Sequence, residues 1–340
     1  MENHLKMEVC ALPISGGRFP CQLGLIHELS KNNYRPDVSF GSSGGNVNAY
    51  LAAAADWRPN GILRISKSVT SDLFCQSWFP QALRGFLPSY LIGVFYGSAY
   101  SDGIGVDELF ETLFTNASIG NYEIWTGTVN RNKGKAEFFC NLDSGSSRLS
   151  NHDFCDRTYG CLPRVYLDRD IKAISKISQA SASIPLIVPD KTFRENTYQD
   201  GGLFFASPLT PFISTLARRK EKIHITYINS LDLDDLGMEE EPSTSIFGKS
   251  GSAMSGLLKS TIIHDRNNGI NFVKSHGEVH YMEGDNLKEI LKVKNDYSRT
   301  MLELYPKEKL CLKIEGFEHK EINDIMMSTK ESYGYRFWGV

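Results

Sequence analysis

The chain lacks a surplus of basic charge, a paired-cysteine motif and an apolar run long enough to cross a bilayer, and each absence removes a class of function. Its 37 Lys and Arg against 40 Asp and Glu leave a net charge of −3, so a clustered basic face for nucleic acid is not expected. The 7 cysteines are odd in number and include no C-x-x-C pair. The nearest two, Cys155 and Cys161, have no histidines at zinc-ligand spacing. They read as reduced thiols of a cytoplasmic protein. The opening MENHLKMEVCALPISGG is too polar for a signal peptide. The best candidate for a membrane span, Gly85 to Ser101, falls short of the ~20 residues a crossing needs and is broken by Pro88, Gly93 and Gly97. A phosphate loop ending in Gly248-Lys249-Ser250 would need a glycine where Ser243 stands. The acidic run from Asp232 to Glu241 has no calcium-loop spacing and reads as a solvated loop. No metal and no cofactor are expected.

What remains is the patterning of an ordinary folded protein, 41% hydrophobic and 23% charged over 340 residues. Val9 to Ile14 reads as a strand running into Ser15-Gly16-Gly17. A helical period through Leu23, Leu25, Ile26 and Leu29 follows. Arg35-Pro36 ends that helix, and Asp37 to Phe40 is a brief strand. It leads through Gly41-Ser42-Ser43-Gly44-Gly45 into an alanine-rich helix, Asn46 to Asp56. Strand, helix, strand, helix in the first sixty residues argues for parallel pairing and an α/β sheet. Farther on, Glu123 to Val129 and Ala136 to Cys140 flank an Asn/Gly-rich turn and predict a hairpin. Ile171 to Ser181 has helical spacing, and Ile223 to Asn229 reads as a buried strand. From Asp232 to Ser255 the composition turns acidic and then Ser/Gly-rich, as in a long loop.

Two short segments carry chemistry. Gly41-x-Ser43-x-Gly45, after a strand and before a helix, is the nucleophile-elbow pattern. The turn is too tight for bulky flanking residues, and the helix N-terminus behind it offers unpaired N–H groups. A serine hydroxyl is a poor nucleophile without a base. The second segment, Asp200-Gly201-Gly202, has strand-like flanks. Its glycines would let a carboxylate approach another backbone closely. Usual elbow enzymes place the serine after several strands and add a histidine last, whereas this elbow follows only about two strands. His264, His276 and His280 could each complete a Ser–Asp–His triad by chain order, but none has a distinctive local context, and His224, inside an apolar strand, reads as a packed core residue.

Together these segments resemble the patatin-like phospholipases, block by block and in the family's order. Ile14-Ser15-Gly16-Gly17-Arg18 with Gly24-Leu25 is similar to the family's glycine-rich oxyanion loop. Gly41 to Gly45 matches the elbow. Gln179-Ala180-Ser181-Ala182-Ser183-Ile184-Pro185 resembles the Ala/Ser-rich helix end before the base, and Asp200-Gly201-Gly202 matches the Asp-Gly-Gly motif. The resemblance covers about residues 8 to 230. It implies a Ser–Asp dyad without histidine, with Ser43 as nucleophile, Asp200 as general base, and the N–H groups of Gly16, Gly17 and Arg18 steadying the oxyanion. One departure stands out: Ser15 and Phe19 occupy places where the family loop carries glycine, and a Phe does not easily adopt positive φ.

The resemblance therefore implies a three-layer α/β/α sandwich with a mostly parallel central sheet. Residues 8–230 would form the catalytic core, with a helical lid at 56–120 whose aromatics, from Phe74 to Tyr96, could meet an acyl chain. Residues 231–340 would be a loop and a C-terminal extension packing on the core. The implied function is that of a serine acyl-ester hydrolase, of phospholipase A or lysophospholipase type. It would act on phospholipids or other acyl-ester lipids, in the cytoplasm with transient contact at membrane surfaces. Two alternatives stay open at this stage: a histidine-triad esterase, and a catalytically weak lipid-binding protein on the same fold.

Overall fold

A computed structural model of the chain describes residues 6–15, 19–68, 110, 114, 119, 122–149, 155–156, 160–161, 163–185, 188–205, 210–212, 216, 222–228, 260–261 and 264. The loop residues Gly16, Gly17 and Arg18, most of the expected lid and nearly all of 231–340 lie outside the described residues.

Near-continuous apolar strands form the frame. In chain order the elements are β1 (Lys6–Leu12), α1 (Phe19–Lys31), β2 (Val38–Gly41), α2 (Gly44–Ala54), α3 (Pro59–Ser68), β3 (Glu123–Asn130), β4 (Lys135–Cys140), β5 (Cys155–Asp156), β6 (Gly160–Cys161), β7 (Arg164–Tyr166), α4 (Ile171–Ser181), β8 (Lys191–Phe193), β9 (Asn196–Asp200) and β10 (Lys222–Tyr227). The central sheet runs β10-β1-β2-β3-β4-β7, with β9 on β3 and β8 on β9; β5 and β6 pair separately. β10, β1, β2 and β3 are mutually parallel. β4 and β9 are antiparallel to β3. β2 pairs with residues 123–126 of β3 and β9 with residues 128–130. The strand carrying the elbow and the strand ending in Asp200 thus meet the same strand one after the other.

Both faces of this sheet are covered, which is why its strands read as apolar runs rather than alternating ones. Successive residues point to opposite faces. Cys10, Leu12, Ile124 and Phe139 pack under the helices with Leu23, Ala49, Ile62 and Ile177. Val9, Ala11, Val38, Trp125 and Phe138 face the other way, where Phe205, Phe212 and Leu216 close the layer. The helical residues Phe110 and Phe114 lie in the core beside Tyr50. α2 is buried at every position from Gly44 to Ala53, as a helix apolar nearly all round must be. Its two asparagines are tied down: Asn46 accepts from Thr126 at 2.6 Å and Asn48 donates to Gln22 at 2.9 Å.

The element boundaries follow the sequence pattern with one notable shift. β1 begins at Lys6, not Val9, because pairing with β10 extends its ladder through Lys6 and Glu8, whose polarity hides them from an apolar count. α4 spans the expected residues. It opens at an N-cap, Asp170, whose carboxylate accepts from Lys172 N–H at 2.9 Å and Ala173 N–H at 3.3 Å.

The β8–β9 hairpin turns on Arg194 and Glu195, with φ of 45° and 66°. A two-residue turn with positive φ at both positions is normally built from Asn and Gly. Replacing Glu195 with glycine leaves the Arg194 guanidinium over the Phe193 ring and removes the left-handed penalty. The Glu195→Gly protein should be more stable by about 0.5–1 kcal/mol, read as a rise of about 2 °C in the thermal unfolding midpoint.

Candidate active site

The elbow is built by close packing of backbones. A Cβ on Gly41 would stand 2.6 Å from Asn46 Cα, and one on Gly45 would stand 2.3 Å from the Leu12 carbonyl oxygen. Neither contact is tolerable, so α2 leaves β2 at this angle only with glycine at both places. Between them Ser43 takes φ 54° and ψ −131°, a conformation that non-glycine residues occupy at a cost of about 1–3 kcal/mol. The surroundings hold it there. Its N–H donates to Ser181 Oγ at 3.0 Å, and Ser181 Oγ donates in turn to the Gly127 carbonyl at 2.8 Å. Ser43 is 3% exposed.

Asp200 reaches this point from the other side. It ends β9 opposite Thr128 of β3, and its N–H donates to the Ser183 carbonyl at 3.0 Å. The carboxylate accepts the Gly202 N–H at 2.7 Å, and the Ser43 hydroxyl lies near enough to lower its pKa. Burial lifts its pKa from the ordinary 3.8 to about 7, against the lowering effect of those two donors. A carboxylate with that pKa beside a serine hydroxyl can take its proton near neutral pH. Gly201 makes the approach possible, since a Cβ there would lie 2.1 Å from the Gly127 carbonyl oxygen. Among the described residues, no imidazole is a partner of this carboxylate.

The structure thus brings together Ser43, Asp200, Gly41, Gly45, Gly201 and Gly202. Gly16, Gly17 and Arg18 lie outside the described residues, but both flanks of their loop are defined. Gln22 Nε2 donates to the carbonyls of Pro13 at 3.0 Å and Ile228 at 2.9 Å, holding the loop's start against α1 and the end of β10. Ile14 lies against Gly202. Phe19 opens α1, a position that asks only for right-handed φ, which accounts for a bulky residue where glycine is usual. Ser15 is fully buried, and its hydroxyl finds no partner among the described residues.

Among the described residues, none of the four histidines is a partner of the Asp200 carboxylate. His264 is exposed, and His276 and His280 lie outside the described residues. His224 belongs to β10, which is separated from β2 by β1. Sequence reasoning quoted Ser181 only as part of a motif and assigned it no contact. A hydroxyl amid alanines at a helix end was the available signal, and it gives no direction.

No curated protein matches the chain. The family model Patatin, described as patatin-like phospholipase, matches residues 15–213, a span that holds the elbow, the end of α4 and Asp200. The chain belongs to the patatin-like phospholipases, a family of lipid acyl hydrolases.

Proposed function

We propose that the protein hydrolyses acyl esters of phospholipids or lysophospholipids through a Ser43–Asp200 dyad and an acyl-enzyme. The observation that carries this reading is the convergence of Ser43, in the strained elbow, with the buried Asp200 carboxylate, whose pKa of about 7 feels the Ser43 hydroxyl. Asp200 takes the hydroxyl proton as Ser43 Oγ adds to the ester carbonyl carbon. The carboxylic acid then returns that proton to the departing alcohol as the C–O ester bond breaks. Water, deprotonated by the same carboxylate, adds to the acyl carbonyl; the acid returns that proton to Ser43 Oγ as the acyl C–O bond breaks, releasing the fatty acid. Backbone N–H groups of Gly16, Gly17 and Arg18 would face the oxyanion, each such donor typically contributing ~3–4 kcal/mol to the barrier.

In this reading residues 8–230 are the catalytic core, 56–120 include a helical lid, and 231–340 form an extension packed on the core. The protein works in the cytoplasm and meets membranes at their surface. Phe204, four residues past Asp200 and 49% exposed, supports contact with a lipid beside the site. No described helix is long and apolar enough to cross a membrane.

The deciding experiment pairs wild type with Ser43→Ala on a short-chain acyl ester in excess EDTA. Wild type should turn over and be labelled by a fluorophosphonate at Ser43. Ser43→Ala should lose labelling and at least about 10³-fold in hydrolysis. Labelling at Ser42, activity surviving in Ser43→Ala, or activity that depends on added calcium would overturn the reading.

A further inference from the structure

The last turn of α4 touches both members of the dyad, and it does so with backbone-fixing hydrogen bonds. Ser181 Oγ has one proton, which it gives to the Gly127 carbonyl at 2.8 Å, and a lone pair, which accepts the Ser43 N–H at 3.0 Å. Two residues on, the Ser183 carbonyl accepts the Asp200 N–H at 3.0 Å. Ser183 Oγ donates back to the Gln179 carbonyl at 2.8 Å and closes the turn on itself. Ser181, Ala182 and Ser183 are all fully buried. The Gly127 carbonyl is also the group that Gly201 passes most closely. The nucleophile's backbone, the base's backbone and the central strand therefore converge on three consecutive residues.

We propose that this turn is a bracket that sets the separation of Ser43 and Asp200, and that Ser181 is a positioning residue of the reaction. The inference rests on the Ser43–Asp200 reading above. Ser43 holds φ 54°, a strained conformation that persists only where the surroundings over-determine it. Its N–H precedes the first turn of α2 and has no helical acceptor, so Ser181 supplies the hydrogen bond that opposes relaxation. Without it the N–H is buried and unpaired, which is costly. The backbone would then rotate toward another acceptor and carry the Ser43 Oγ away from the carboxylate. The nearby Ser43 hydroxyl also lowers the Asp200 pKa, so moving it away changes the pH dependence of the reaction as well as its rate.

Ser181→Ala should lower kcat on a soluble acyl ester by about 10- to 100-fold, as a misplacement of roughly 1 Å does, with KM within about twofold. The rate of fluorophosphonate labelling should fall in parallel, and the acid limb of the pH–rate profile should move to higher pH. In an Asp200→Asn background, Ser181→Ala should cost little further, because groups that act as a unit are not additive. Equal losses in both backgrounds, or a folded Ser181→Ala with wild-type kcat and acid limb, would overturn the proposal. Should Ser181→Ala fail to fold, Ser181→Cys decides, keeping a weaker donor and acceptor in similar volume. An intermediate kcat with a shifted limb supports the bracket, and wild-type values overturn it. Ser43→Ala separates the two readings. If it stays active, the dyad fails and the bracket with it. If it is dead while Ser181→Ala is normal, the bracket alone fails.

Discussion

Asp200→Asn should abolish hydrolysis to about the same degree as Ser43→Ala, a loss of at least roughly 10³-fold, while leaving the fold intact. Asparagine keeps the oxygen that accepts the Gly202 N–H at 2.7 Å but places a donor or a non-basic oxygen toward Ser43. Shape survives and basicity does not. Single replacements of His224, His264, His276 and His280 should each change kcat by less than about threefold, since no imidazole is a partner of the carboxylate among the described residues. A histidine variant that folds normally and is as inactive as Asp200→Asn would restore the triad.

The same carboxyl predicts two opposite pH trends. Activity needs the ionised base, so kcat/KM should rise through an acid limb centred near pH 7. Stability should run the other way. The folded-state pKa of about 7 lies above the ordinary 3.8, so between those values the folded protein binds a proton that the unfolded chain has released. Its stability contribution is complete below about pH 4 and falls away as pH rises to 7, by roughly 4 kcal/mol in all. Asp200→Asn escapes that loss. At pH 8 it should melt higher than wild type, by an amount that shrinks toward pH 4.

The sequence made the elbow legible because its evidence is local: an apolar strand, five small residues and an alanine-rich helix occupy one stretch of chain. The hairpin of β3 and β4 was legible for the same reason. What looked irregular, an elbow after only two strands, is resolved by topology. β10 returns from residues 222–227 to flank β1, and β3 flanks β2 on its other edge, so both early strands sit inside the sheet. That return depends on pairing across more than two hundred residues, and no local pattern encodes it. The contact of β9 with the far half of β3 is equally hidden, yet it delivers Asp200. Asp200-Gly201-Gly202 by itself is an ordinary turn; it becomes a base motif only beside Gly127 and Ser43. The pKa of about 7 is likewise invisible in the sequence, because it arises from burial by residues far apart in the chain.

Gly201→Ala should be the most damaging single-methyl addition near the site, lowering activity by at least about 100-fold and stability by about 1–3 kcal/mol. The new Cβ would lie 2.1 Å from the Gly127 carbonyl oxygen, 2.4 Å from its carbon and 2.9 Å from Thr128 N. These are backbone atoms of β3, buried along its whole length and paired on both edges, so they cannot step aside. The Asp200 segment must move instead, by more than an ångström to reach ordinary contact, and Asp200 is anchored at Ser183. Gly202 offers the comparison. A Cβ there meets chiefly Ile14 Cγ2 at 2.4 Å, the end of a side chain that can rotate, with the Asp200 carboxylate next at 3.0 Å. Gly202→Ala should therefore keep more activity and more stability than Gly201→Ala. Thermal unfolding and kcat/KM on the same ester, measured for both variants, test the order. A Gly201→Ala protein within about threefold of wild-type activity, or one milder than Gly202→Ala, would mean that Asp200 does not depend on this close approach to β3.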